Sequence, residues 1–295
     1  MTSILTNNSA MNALSTLRSI NNNLDNTQNR ISTGLKVQSG KDNASYFQIS
    51  TTMSSESGMM SSVNESMTLA KNSISTARLG SETLTDLAQQ FVDRLAFAQE
   101  DGVDRAAVGE ELMSLAEQMV TTIQQSSFNG ENLISTAGLT ALGGTTKTIT
   151  TGISRTGTTL GTTTQDFTMV DLQAVVGDPT AAAADDATLT NIAESVRTNT
   201  FGTDAATTLT AADTFLTTIT TQATNLGVAE KAIETQQNFL NELTDRIDAG
   251  VGSMVDANME EEAARLQALQ VQQQLATQSL SMANQKPQNI LSLFR

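Results

Sequence analysis

The chain has 295 residues with no Cys, His or Trp, one Tyr and two Pro, and its formal net charge is −15. The missing Cys and His exclude a disulfide framework, a thiolate nucleophile, a Ser-His-Asp triad and His- or Cys-ligated zinc, so no metal or cofactor is expected. Residues 1–40 sum to +2 and residues 255–295 to −1, leaving −16 in between, an acidic middle that argues against nucleic acid and either forms a solvated outer surface or keeps a single chain soluble.

No apolar run approaches the roughly 18 residues that cross a bilayer, so no membrane insertion is expected. The segment from Met1 to Asn8 lacks the charged and apolar regions of a secretory leader. The chain is therefore expected to be cytoplasmic or to leave the cell by a route that reads no cleaved leader.

Residues 2–37 read as an amphipathic helix. Its seam, Ala10, Leu14, Leu17, Asn21, Leu24, Gln28, Ile31 and Leu35, advances by alternating four- and three-residue steps. That spacing keeps one stripe on one side of a helix and requires a partner helix to cover it. Gly34 and Ser39-Gly40 break the pattern, and Asp42 is placed to cap the next helical run. That run holds the most regular pattern: Met60, Val63, Met67, Ala70, Ile74, Ala77, Ser81, Leu84, Ala88, Phe91, Leu95 and Ala98 keep strict three-four alternation over twelve positions. This predicts one long helix in a bundle rather than a helix on a sheet. Gly102 marks a turn, and Asp104 is the N-cap of a second helix with its seam on Val108, Leu112, Leu115, Met119 and Thr122. That helix is expected to end near Phe128-Asn129-Gly130, where Asn-Gly is a turn dipeptide.

From about 140 to 176 the composition shifts to Thr and Gly. Thr145–Thr151 and Phe167–Val170 carry strand-type residues, which predicts one or two β-hairpins. The Ala- and Asp-rich piece at 180–200 is expected to return to helix until Gly202. A third long helix, from about Thr210 to Gly250, has its seam on Ile219, Gln222, Leu226, Ala229, Ile233, Gln236, Leu240, Leu243 and Ile247. Gly250 and Gly252 predict a hinge before a last helix, whose seam is Met259, Ala263, Leu266, Leu269, Gln273, Ala276, Leu280 and Ala283 with one irregular three-residue step.

The predicted fold is mainly α: a long helical hairpin or coiled-coil bundle formed by the N- and C-terminal segments, with a small β-hairpin region in the middle. Three parts are expected. Residues 1–40 with 255–295 form a terminal coiled-coil domain, 41–140 with 177–254 a helical core domain, and 141–176 its small β-rich outer part.

Polar residues interrupt these seams at Asn21, Gln28, Gln222, Gln236 and Gln273. In a coiled-coil core such residues lower stability and fix register or partner number; on a drifting seam they sit at its wet edge. Of the methionines at 53, 59, 60, 67, 113 and 119, Met60, Met67 and Met119 are expected to fill the core, and the others are open to a role as plastic surface. Glu260, Glu261 and Glu262 project about 100° apart around a helix and cannot converge on one ion. They are expected to favour the N-terminus of the last helix through its dipole. Gly143-Gly144 and Gly157–Gly161 lack the Lys and the strand-helix context of a phosphate loop and read as turns.

The run Thr27-Gln28-Asn29-Arg30-Ile31-Ser32-Thr33-Gly34-Leu35-Lys36-Val37, followed by Lys41-Asp42-Asn43-Ala44, resembles the N-terminal signature of bacterial flagellin, and Asn8 to Leu17 resembles its opening helix. Asp256-Ala257-Asn258-Met259 through Ala283-Asn284-Gln285, then Pro287 to Arg295, is similar to the C-terminal signature, and Ser127-Phe128-Asn129-Gly130 fits the end of the second core helix.

The resemblance implies a subunit that self-polymerises into the extracellular flagellar filament for swimming motility. Its terminal helices would form an inner tube, fold on assembly, and be exported uncleaved through the flagellar type III channel. Leu14, Leu17, Leu24, Ile31 and Leu35, with Met259, Leu266, Leu269 and Leu280, are then the subunit-interface residues. Implied partners are further copies of the chain, other flagellins, the distal cap, hook–filament junction proteins and an export chaperone at the C-terminal helix. Phe91 stands where members that activate the innate Toll-like receptor carry Arg, which looks like the alphaproteobacterial variant and implies weak activation.

The rival readings are a hook–filament junction protein with the same terminal plan and a soluble signalling coiled coil. An enzyme is not expected, because the middle is short and His is absent.

Overall fold

The computed structural model describes residues 7–157, 159–177, 188–198, 200 and 205–293. Over these the chain is mainly helical, with long helices toward both ends and a small antiparallel strand region in the middle. The order is α1 (Asn8–Thr33), α2 (Gly40–Phe97), α3 (Arg105–Gln125), β1 (Ser127–Phe128), β2 (Glu131–Asn132), α4 (Thr136–Ala141), β3 (Thr146–Thr156), β4 (Thr159–Thr168), α5 (Leu172–Val176), α6 (Leu189–Arg197), α7 (Ala205–Val255) and α8 (Met259–Leu293). Of the helix expected at 180–200, residues 178–187 and the predicted stop at Gly202 lie outside the described residues, while α6 occupies 189–197. Residues 2–6 of the first predicted helix also lie outside them.

The chain divides into two compact units, one of Met1–Ser57 with Asp245–Arg295 and one of Gly58–Thr244. The long helices α2 and α7 contribute to both.

The second unit is built on the α2 seam. Of its twelve predicted positions, ten from Met60 to Ala98 are buried and two, Val63 and Ala70, are half-buried. The α7 seam faces it: Ile219, Gln222, Leu226, Ala229, Ile233 and Leu240 are all buried. Polar pairs fix the antiparallel alignment of the two helices, with Asn64 donating to Asn241 (2.6 Å), Gln237 to Thr68 (2.9 Å) and Arg78 to Glu230 (2.8 Å). Helix α3 returns along α2 after Asp104, whose carboxylate accepts the Ala106 and Ala107 amides. It buries Val108, Leu112, Ala116, Met119 and Ile123, so its inner stripe runs through Ala116 and Ile123 rather than the expected Leu115 and Thr122, which are half-buried.

Helix α3 ends at Gln125, short of the expected Phe128. Asn129 and Gly130, with φ +53 and +81, instead form a two-residue hairpin turn between β1 and β2, the connection that Asn-Gly favours. Strands β3 and β4 form one hairpin from 146 to 168, longer than the two expected runs, with an irregularity between Thr150 and Gly152. Gly161, expected in a turn, lies within β4 opposite Ser154. The hairpin is anchored by buried Ile149, by Lys147 against Glu131, and by Gln236 of α7, which donates to the Thr151 carbonyl (2.9 Å).

Helices α3 and α6 pack backbone to backbone at Gly109, where a Cβ would sit 2.4 Å from the Arg197 Cα. Gly109→Ala therefore forces backbone apart in a packed core. It should lower the stability of this unit by about 1–3 kcal/mol, read as a reduced midpoint of thermal unfolding by circular dichroism. An unchanged midpoint would show that the close approach is dispensable.

Candidate assembly surface of the terminal helices

In the first unit α1 and α8 lie antiparallel. Asn7 donates to the Ala283 carbonyl (2.9 Å), Gln273 to Asn21 (2.8 Å) and Arg30 to Glu262 (3.2 Å). The ends of both helices are defined by local chemistry. Asn7 caps α1 by accepting the Ala10 amide (3.1 Å), and Gly34 closes it in the left-handed conformation (φ +74) with its amide on the Arg30 carbonyl (2.8 Å). Asn258 caps α8 by accepting the Glu260 and Glu261 amides.

The two helix breaks are stitched together. Leu35 bridges Asp256, Lys36 donates to the Val255 carbonyl (2.6 Å), and Ala257 donates to the Gly34 carbonyl (2.8 Å). The predicted hinge at Gly250 and Gly252 is absent, because α7 runs through both to Val255. A Cβ at Gly252 would lie 2.6 Å from the Asp256 carboxylate, an exposed side chain that can turn aside.

The helix after the first break is capped by Asn43 rather than by Asp42. Asn43 has non-helical φ and ψ (−161, 105), and its Oδ1 accepts the Tyr46 amide (3.1 Å). Asp42 turns back to accept the Gln38 and Ser39 amides and the Ser39 hydroxyl. The hydrogen bond from the Gln38 backbone, with those from Ser39, holds its carboxyl below the usual carboxylate value.

The stripe that α1 turns to α8 is Ala10, Ala13, Leu17, Ile20, Leu24, Thr27 and Ile31, with Ile20 and Thr27 buried and the rest half-buried. The expected column is thus displaced at three positions. Leu14 is 37% exposed and Gln28 is exposed, while Asn21 is half-buried and bonded to Gln273. On α8 the inner stripe is Glu262, Leu266, Leu269, Gln273, Ala276, Leu280 and Ala283, in unbroken four-three alternation. The irregular step of the predicted seam disappears because Glu262 takes the place of Ala263, which is exposed, and Met259 lies outside the stripe at 46% exposure.

Glu262 is the residue that periodicity misses. A search for apolar positions skips a carboxylate, yet Glu262 is 5% exposed and pairs with Arg30 and, at 3.6 Å, with Arg265. Only Glu260 and Glu261 stay on the solvent side, where their charge favours the helix start as expected.

Large apolar side chains remain outside this pairing. Met11 and Leu14 share one face of α1, and Val271, Leu275 and Met282 share one face of α8, the last three between 55% and 60% exposed. Tyr46, Phe47 and Ile49 are exposed at the start of α2.

Phe91 belongs to the other unit and is fully buried in the α2 core. The accessible side chains from 89 to 95 are Gln89, Gln90, Asp93 and Arg94, with Arg94 paired to Glu111 (3.3 Å). Phe91→Arg should therefore act on folding, lowering stability by about 3–5 kcal/mol through lost packing and an unpaired buried charge. Denaturant titration of the purified variant measures this; a midpoint equal to that of the parent would mean the side chain has a way out to solvent.

Among the described residues no group of three or more His, Cys, Asp or Glu could hold a metal ion, and no helix is long and apolar enough to cross a membrane. The molecule is a helical structural protein whose terminal helices pair and leave a second apolar face uncovered. The chain belongs to the flagellin family. A model of the bacterial flagellin N-terminal helical region matches residues 4–138, and one of the C-terminal helical region matches residues 209–294. Among curated relatives it is 36% identical over 322 aligned positions to Flagellin C of Rhizobium meliloti, 36% over 308 to a flagellin of Brucella melitensis, and 34% over 396 to Flagellin A of Rhizobium meliloti, each alignment covering the whole of both chains.

Proposed function

We infer that this chain is a structural subunit of the bacterial flagellar filament and that it polymerises with copies of itself outside the cell. The observation that carries the reading is the uncovered apolar face of α1 and α8 in a chain that belongs to the flagellins. One chain leaves these helices poorly covered. Of the stripe residues only Ile20, Thr27, Glu262 and Leu269 are buried, and a fully buried Ile or Leu contributes about 1.5–3 kcal/mol. Ordering the backbone costs about 1–2 kcal/mol per residue, and the two helices span 26 and 35 residues. Neighbouring subunits supply the missing burial.

On this reading Leu14 and Met259 contact neighbouring subunits directly, while Leu17, Leu24, Ile31, Leu35, Leu266, Leu269 and Leu280 hold the intrachain pair that presents them. Export proceeds through the flagellar type III channel without cleavage. The partners beyond the homopolymer are other flagellins, the distal cap, the junction proteins and an export chaperone on α8. The role is architectural and not enzymatic.

The test is assembly from purified monomer in ammonium sulfate, which strengthens effective burial, followed by sedimentation and negative-stain microscopy. Long filaments are expected from the parent and none from Leu24→Asp or Leu280→Asp, with the Gly58–Thr244 unit still folded because both sites lie in the other unit. Filaments of normal length from either variant would remove the terminal seams from assembly, and parent chains that stop at short rings would favour a junction protein.

Receptor activation is expected to be weak, since Phe91 replaces the Arg of activating members and contributes no surface. A reporter-cell response equal to that of an enteric flagellin would refute this.

A further inference from the structure

We propose that α1 of one copy covers the outer flank of α8 of the next. The α1 column Met11, Leu14, Arg18, Asn21, Asp25 and Gln28 docks antiparallel on the α8 column Glu261, Arg265, Ala268, Gln272, Leu275 and Ser279 of a second copy of this chain. The inference deepens the filament reading and rests on it.

Three observations carry it. First, the two columns lie on opposite flanks of the α1–α8 pair. A groove of about 420 Å³ runs along one flank, between Thr16 and Ile20 of α1 and Gln272, Leu275 and Ser279 of α8. Leu14 is two residues from Thr16 and so points about 160° away from it, onto the other flank, where Met11 joins it three residues earlier. Met11, Leu14 and Leu275 are all exposed. A contact that joins one flank to the opposite flank of the next copy is heterologous and repeats without closing, which builds an open filament. Two α8 columns pressed together would instead close a dimer and leave Met11 and Leu14 bare.

Second, each column has a seam spacing of its own. The steps are three-four-three-four-three on α1 and four-three-four-three-four on α8, the pattern of a helix with a second partner. This accounts for Leu14, Asn21 and Gln28, the expected seam positions that pairing within the chain leaves at its edge or in solvent. Third, the polar members are complementary. Copies repeated by a heterologous contact share one orientation, so α1 meets the neighbour's α8 antiparallel. With Leu14 on Leu275 and Met11 on Ser279, the same alignment sets Arg18 against Gln272, Asp25 against Arg265 and Gln28 against Glu261. Arg265 keeps 47% of its side chain exposed beside Glu261 and Glu262, which leaves it surface for Asp25. Sliding one heptad toward the start of α8 sets Arg18 against Arg265, and sliding the other way takes Asp25 off Arg265. Matched charges of this kind select partner and alignment.

The chain has no Cys, so engineered cysteines report neighbours without background. Within one chain Leu14 and Leu275 point to opposite flanks and cannot meet the geometry of a disulfide. Filaments of the variant Leu14→Cys, Leu275→Cys are oxidised and run on non-reducing gels. Loss of most of the monomer band to a ladder of dimer, trimer and longer species is expected, and monomer alone would overturn the proposal. Filaments with either single substitution should stay at monomer size. A dimer from either one would show like columns facing each other and would also overturn it. If the 14–275 variant does not polymerise, Arg18→Cys with Gln272→Cys gives the same reading from two polar surface positions. Filaments of that variant without a ladder, or no filaments while the parent assembles, overturn the proposal. Parent chains that form no filament count against the filament reading instead. The 14–275 variant is then oxidised as a concentrated soluble chain, where a ladder supports the contact and monomer alone overturns it.

Discussion

The helices at the two ends of this chain carry more apolar surface than one partner helix can cover, and that constraint organises everything else. An antiparallel pair buries one stripe per helix. Here α1 keeps Met11 and Leu14, and α8 keeps Val271, Leu275 and Met282, on faces turned away from the pairing. A sequence selected for a lone soluble pair would place charge there, as it does elsewhere in a chain of net charge −15. The absence of any charged residue from Leu266 to Gln285 on α8, against the strongly acidic middle, separates the surface that needs a neighbour from the surface that faces water.

The unit from Gly58 to Thr244 solves the opposite problem, since it closes its own core. Its α2 seam is covered by α3 and α7, and the fully buried side chains include Phe91, Met67, Ile74, Leu84 and Leu95. Ion pairs and side-chain amides at its surface, such as Arg78 with Glu230 and Asn64 with Asn241, align helices that are already committed by burial; exposed pairs of this kind contribute little on their own. In the terminal unit the apolar contribution is thin, so polar contacts carry proportionally more of the alignment.

The legibility of the sequence differs between the two units for the same reason. The twelve α2 positions can be read directly because one broad apolar stripe stands against a plainly polar remainder. On α1 periodicity shares Ala10, Leu17, Leu24 and Ile31 with the observed stripe but takes Leu14, Asn21 and Gln28 in place of Ala13, Ile20 and Thr27. Both columns of that helix are partly apolar, one facing α8 and one facing outward, and periodicity alone cannot say which partner lies within the chain. Glu262 is illegible because a pattern of apolar residues skips a carboxylate, and its burial depends on Arg30, 232 positions away. Gly252 reads as a hinge, yet helix α7 runs straight through it, because glycine lowers helix propensity without forbidding the helical conformation. The Asn129-Gly130 turn, by contrast, is local chemistry and is visible without any partner.

The glutamines and asparagines at seam positions make the same point in a sharper form. By sequence Asn21, Gln28, Gln222, Gln236 and Gln273 are equivalent interruptions. In the folded chain Asn21 and Gln273 bond each other across α1 and α8, Gln236 reaches the Thr151 carbonyl, and Gln28 is in solvent. Gln222 is completely buried, its amide nitrogen 3.7 Å from the Met169 sulfur and its oxygen without a partner. An unsatisfied buried acceptor costs about 1–3 kcal/mol. The large core around Gln222 absorbs such a cost without changing its packing, because every neighbouring seam position remains committed. The terminal pair has less apolar burial around its stripe, and there Gln273 meets Asn21 instead of an apolar neighbour. The same residue type is therefore left with an unsatisfied oxygen in one unit and paired across two helices in the other.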